Sequence, residues 1–157
     1  LRRIIALLPT GDYVLEGVSF EGENLEGVAT LSHELPCAPE NLSPEEGEIV
    51  PSADPVTITW DEVENKLNNN AERCSTAAGD DIEIEGYQLI AENLTTEKEF
   101  SIFLDDETTA VTLPAQFVSA NQVIKYEVLA IAENGNQTIA EVPFFCTDLD
   151  PCLEPPE

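Results

Sequence analysis

The sequence predicts an all-β chain: an antiparallel β-sandwich preceded by a β-hairpin and a short helical turn. Three observations lead there. Apolar residues recur at every second position in short runs, as in Val56-Thr57-Ile58-Thr59-Trp60 and Glu99-Phe100-Ser101-Ile102-Phe103-Leu104, and residues two apart share one face of a strand. Pro, Gly and Asn punctuate those runs at the spacing of an all-β domain. Hydrophobic residues make up 42% of the 157 positions, even though 32 Asp and Glu against 6 Lys and Arg leave a net charge of −26. A disordered polyanion lacks such β-branched and aromatic content, so the acids read as the solvated surface of a folded chain.

Taken in order, residues 1–8 (Leu-Arg-Arg-Ile-Ile-Ala-Leu-Leu) predict two helical turns stopped by Pro9-Thr10-Gly11-Asp12. The β-rich runs 13–20 and 25–33 flank Glu21-Gly22-Glu23-Asn24 and predict a hairpin. An isolated hairpin is marginal in water, so this one needs something to pack on. Pro36-Cys37-Ala38-Pro39 marks a boundary. Seven strands follow, near 40–43, 55–61, 82–92, 99–104, 108–113, 124–132 and 137–145. Val56, Ile58 and Trp60 face inward from the second, Tyr87, Leu89 and Ala91 from the third, Tyr126, Val128 and Ala130 from the sixth. Ile84 is out of phase with Tyr87 and joins its face only if Gly86 hosts a bulge. Asn134-Gly135 predicts a type I′ hairpin turn. The organisation expected is 1–35 as the end of an upstream domain or an assembly element, 36–146 as the sandwich, and 147–157 as a C-terminal tail. With Leu1 first and no Met, the sequence reads as a mature or truncated product.

The charge excludes binding to a nucleic-acid backbone, which needs clustered Lys and Arg. No apolar run approaches the roughly 20 residues that cross a bilayer, so no membrane insertion is expected. The acid clusters Asp80-Asp81, Asp105-Asp106-Glu107 and Asp148-Leu149-Asp150 are the candidate calcium ligands. None has the spacing of a dedicated calcium loop, so loop acids in solvent are the plainer reading and no cofactor is expected. Four cysteines, Cys37, Cys74, Cys146 and Cys152, fit two disulfides in an oxidising, extracellular setting. Zinc would need paired close spacing or histidine help, and His33 is the sole histidine. With one histidine, no phosphate loop and acids too abundant for any carboxylate pair to stand out, no enzymatic activity is expected. Phe103, and one of Phe144 and Phe145, point away from the predicted core, which keeps a carbohydrate partner in play. Asn93-Leu94-Thr95 and Asn136-Gln137-Thr138 are glycosylation sequons.

Trp60 closing a strand, Ile84-Glu85-Gly86-Tyr87 opening the next, and Tyr126-Glu127-Val128-Leu129-Ala130 running into Asn134-Gly135 together resemble a fibronectin type III domain over about residues 39–146, an immunoglobulin-like antiparallel sandwich. The stretch from Tyr126 to Ile139, with the upstream Gly11-Asp12-Tyr13 and Leu25-Glu26-Gly27, is most similar to bacterial secreted proteins known only as fibronectin type III domain-containing. The chain departs from the family where Ala120 stands six residues before Tyr126; the family tends to have Leu there, and Leu113 and Phe117 are the candidates to replace it. The resemblance implies core positions for Trp60, Tyr87 and Tyr126. Its topology implies Cys37–Cys74 at one pole and Cys146–Cys152 at the other. It also implies a non-catalytic structural or adhesion module of a secreted or cell-surface protein. Alternatives are a filament subunit assembling by strand addition, partnered by copies of itself or other domains, and a polysaccharide-binding accessory module.

Overall fold

Alternating burial becomes ten strands in a computed structural model, which describes residues 7–67, 73–75, 77, 79–140 and 143–153. A free-standing hairpin pairs β1 (Gly11–Val18) with β2 (Asn24–Leu31). One layer of the sandwich pairs β4 (Thr57–Thr59) with β7 (Ala110–Thr112), and Ser43 bridges to Thr59 at its edge. The other layer runs β3 (Glu48–Val50), β10 (Phe144–Thr147), β8 (Gln122–Ala132), β5 (Ile84–Asn93), β6 (Lys98–Asp105), with β9 (Gln137–Ile139) also on β8. Every pairing is antiparallel except β3 with β10. Among the described residues there is no helix; residues 1–6, which carry most of the expected helical turn, lie outside them, and Leu7 and Leu8 form a bend.

The inward residues meet where the alternation puts them. Val56, Ile58 and Trp60 pack across the gap onto Tyr87, Leu89, Ala91, Tyr126, Val128 and Ala130, all buried. Trp60 stacks at a tilt on Tyr87 with ring centroids 5.5 Å apart, and Tyr126 meets Phe145 edge-on at 6.1 Å. A buried phenol needs a polar partner, and both have one. The Tyr87 hydroxyl accepts from the Val63 amide at 2.8 Å, and the Tyr126 hydroxyl donates to the Pro44 carbonyl at 2.6 Å. Burial pushes both phenols above their ordinary pKa. Leu113 and Phe117 are buried in the same core while Ala120 is exposed, so the long β7–β8 connection supplies the apolar side chains that Ala120 does not.

Four local differences from expectation have physical causes. The run 40–43 makes one bridge rather than a strand, because Pro39 and Pro44 flank it and supply no amide donors. Past Pro44 the chain crosses to the other layer and forms β3, too short to leave a periodic signal. The expected last strand splits into β9 and β10 around Pro143. The turn after β8 is not type I′: the Gly135 amide donates to the Ala132 carbonyl at 2.8 Å and only Gly135 has positive φ, 80°, so Asn134 sits in an ordinary turn conformation ahead of a left-handed glycine. Gly22, with φ of 86°, ends the β1–β2 turn the same way.

At Gly86 the bulge is real. The β5–β8 register shifts between Ile84 and Gly86, and Ile84 packs against the core. A Cβ on Gly86 would lie 2.2 Å from the Leu104 carbonyl oxygen, so β5 and β6 approach closely only with glycine there. Gly86→Ala should destabilise the domain by about 3 kcal/mol in denaturant melts, whereas Gly17→Ala, where a Cβ meets nothing within 4 Å, should be near neutral.

Cys37 is linked to Cys74 and Cys146 to Cys152, with Cα separations of 5.3 and 5.5 Å. The first closes a loop of sequence separation 37 and the second of 6. In the chain-entropy model the longer loop contributes about 4 kcal/mol and the shorter about 2 kcal/mol. The double variant Cys37→Ala/Cys74→Ala should therefore lower Tm more than Cys146→Ala/Cys152→Ala, as read by calorimetry.

Candidate functional site

The feature that the sandwich does not explain is the β1–β2 ribbon. Neither of its strands contacts any other strand, and Leu15 and Leu25 are 63% and 55% exposed. Its register separates two faces, since directly opposed residues point the same way. One face consists of the pairs Gly11–Leu31, Tyr13–Ala29, Leu15–Gly27 and Gly17–Leu25, without a charged residue. The other holds Asp12–Thr30, Val14–Val28, Glu16–Glu26 and Val18–Asn24, with Thr30 donating to Asp12 at 2.6 Å. The directly opposed Glu16 and Glu26 weaken the pairing rather than help it.

At its base the ribbon is held firmly. The side-chain amide of Asn136 donates to the carbonyls of Ser32 and Glu34 at 3.0 and 2.7 Å, and that of Asn134 donates to the Ser32 hydroxyl and the Glu34 carbonyl at 3.3 and 3.0 Å. Both asparagines come from the turn between β8 and β9. From the other side, Lys66 pairs with Glu34 at 2.7 Å, the Leu67 amide donates to the Leu35 carbonyl and the Cys37 amide to the Asn65 carbonyl, each at 2.8 Å. The hydrogen bond to Glu34 raises the Lys66 pKa. His33 donates from Nε2 to the Leu8 carbonyl at 2.8 Å, and the Tyr13 hydroxyl to the Pro9 carbonyl at 2.8 Å, which folds the entry segment onto the ribbon. So the lone histidine works as a backbone clip. Beside the clamp, Glu133 and Glu83 share a hydrogen bond, and that contact, with the repulsion between them, raises the Glu133 pKa.

The sequence-singled residues are dispersed. Asp80 accepts from Ser75 and lies 3.8 Å from Lys66; Asp105 accepts from Thr108; Asp148 accepts from the amide and hydroxyl of Ser52. The three acid clusters therefore sit on separate loops, each with a neighbouring donor. Phe103 is 69% exposed on the outer face of β6, Phe144 is half-buried, and Phe145 is buried. Both sequon asparagines are committed to the fold. Asn93 is buried, its amide nitrogen donating to Phe117 O and Gln122 Oε1 at 2.9 Å each and its oxygen accepting from the amides of Thr95 and Thr96. Asn136 is the clamp residue. A glycan on either nitrogen would displace those bonds. Sequence reasoning misses this clamp because its acceptors, the main-chain carbonyls of Ser32 and Glu34 and the Ser32 hydroxyl, lie about a hundred positions away; Asn134-Gly135 reads as a turn signal and Asn136 as a sequon.

No protein-family model and no curated protein matches this chain. Among solved structures, the chicken CNTN1 FN1-FN3 domains are similar at 13% identity and TM-score 0.50, covering 90% of this chain and 44% of that one. The chain thus spans less than half the length of that fragment. A myokine structure is similar at 18% identity and TM-score 0.47, covering 73% of this chain and 99% of that chain. At such identities the likeness concerns fold: the sandwich is of the fibronectin type III kind.

If the two asparagines hold the ribbon, Asn136→Ala, which removes two of the four clamp bonds from this turn, should speed proteolytic cutting within residues 32–35 by about tenfold, with the sandwich melt lowered by no more than about 2 kcal/mol. Equal cutting rates in the two proteins would show that the clamp does not order the linker.

Proposed function

We propose that the chain is a non-catalytic, extracellular adhesion module that docks onto protein through the β1–β2 ribbon. The observation that carries this reading is the charge-free ribbon face, solvent-exposed yet clamped at its base in one orientation. A charge-free face on an otherwise acidic molecule is where another surface can approach without like-charge repulsion, and a clamped arm loses less entropy on docking than a loose one. Two disulfides support a secreted or cell-surface setting, and the acid excess suits a saline one. The similarity of the 126–139 stretch to bacterial secreted proteins supports a bacterial source. Phe103 is a single ring on the outer sheet face, which gives a polysaccharide reading less support than the ribbon gives docking.

The test is retention on the surface of the producing cells. Labelled wild-type chain should be retained, and Leu15→Glu, which places a charge on the apolar face, should reduce retention by at least about tenfold. Equal retention of the variant would remove the ribbon from the function.

A further inference from the structure

We infer that the partner of the ribbon's charge-free face is the same face of a second copy, related by a two-fold axis that runs along the strands. This deepens the docking reading above and rests on it. The starting point is two glycines that this chain does not itself require. Gly17 and Gly27 have no positive φ, and a Cβ on either meets nothing within 4 Å. Glycine inside a strand weakens it, and where no turn or bulge demands it, it marks the close approach of a ligand or another backbone. Both glycines lie on the charge-free face, and among the described residues no other strand covers it; the entry segment reaches this face at Tyr13, through the Pro9 carbonyl.

The register says what shape would approach. Each of the four rungs on this face pairs one large residue with one small: Leu31 with Gly11, Tyr13 with Ala29, Leu15 with Gly27, Leu25 with Gly17. Along the ribbon the large residue stands on β2, then β1, then β1, then β2. A two-fold axis along the strands lays β1 of one copy over β2 of the other, rung upon rung, so that every large residue faces a small one. A two-fold axis across the strands lays Leu31 over Leu25 and Tyr13 over Leu15, large upon large. The pattern is thus self-complementary for one symmetric arrangement, an isologous contact that closes at two copies. In that arrangement Asp12, Glu16 and Glu26, on the opposite face, point outward and away from each other.

Size and charge set its strength. Strands of 8 residues at about 3.3 Å each and a spacing of about 4.8 Å give a face of roughly 250 Å² per copy. That is below the roughly 600–1,000 Å² per partner of a stable complex, and each copy carries −26. The dimer is therefore weak and salt-dependent, forming as ionic strength screens the acids.

Sedimentation velocity on the full chain, from micromolar to millimolar concentration at low and at about 1 M salt, tests this. A monomer–dimer equilibrium is expected, with the dissociation constant at least about tenfold lower in high salt. Leu15→Glu should abolish the dimer, and Val28→Thr, on the reverse face, should leave it unchanged. The deciding variant is Gly27→Leu: it adds apolar surface but fills the notch opposite Leu15, and should weaken the dimer at least about tenfold. Unchanged or tighter association of Gly27→Leu, open-ended oligomers, or a monomer under all conditions would each overturn the inference. Trp60 fluorescence checks that every variant keeps its sandwich. A wild-type monomer that still binds cells, with Leu15→Glu losing that binding, would leave docking intact and assign it to a different partner.

Discussion

Two phenols in the dry gap between the layers organise much of the molecule beyond the gap. Tyr87 and Tyr126 are large enough to fill the space beside Trp60 and Phe145, but each brings a hydroxyl that has to be satisfied. Tyr126 reaches the Pro44 carbonyl, which fixes the chain as it leaves the β4–β7 layer and delivers β3 to β10. Tyr87 takes the Val63 amide, which sets the path of the segment after Trp60. That segment presents the Asn65 carbonyl to Cys37, the Leu67 amide to Leu35, and the Lys66 ammonium to Glu34. A core contact is thereby passed outward, through main-chain bonds, to the base of the ribbon. The Cys37–Cys74 link lies on the same route and ties the segment's far end to the linker.

Period-two burial made the sandwich legible in advance. Wherever one face of a strand is dry and the other wet, the sequence has to alternate, and Trp60, Tyr87 and Tyr126 are placed by that requirement alone. The Gly86 bulge was legible for the same reason: Ile84 broke the phase, and only an extra residue could restore it. What escaped was decided by the backbone. β3 is three residues pairing parallel with a strand far along the chain, and no local pattern encodes that. The turn at Asn134-Gly135 depends on the φ of one asparagine, a choice that the dipeptide leaves open. The ribbon's two faces were implicit in the alternation of Tyr13, Leu15 and Gly17, but only the pairing of Gly17 with Leu25 shows that both strands put their uncharged residues on one side.

Acidic residues are spread over the loops and outer faces, and that distribution gives the ribbon its meaning. With 32 acids against 6 bases, most surface strips of eight residues carry a carboxylate. The charge-free face is an exception within a repulsive surface, and the repulsion discriminates among partners. It opposes approach everywhere except where acids are absent, so it restricts which surfaces of two copies can meet without adding attraction of its own. A docking face built this way has an affinity controlled by ionic strength, with no carboxylate, ammonium or imidazole in the contact.

The clamp turns that surface into an oriented one. An exposed hairpin on a free linker would sample many directions, and each docking event would have to select one. The side-chain amides of Asn134 and Asn136 hold residues 32–34 against the turn between β8 and β9, while Lys66 and Leu67 hold the same linker from the opposite side. The linker is gripped by both layers' connections at once. Direction is therefore a property of the sandwich, and Asn134 and Asn136, the second of them a sequon asparagine, are what transmit it. A modified Asn136 nitrogen could not serve both purposes: the chain uses this side chain to aim the ribbon, and its amide hydrogens are already placed on the Ser32 and Glu34 carbonyls.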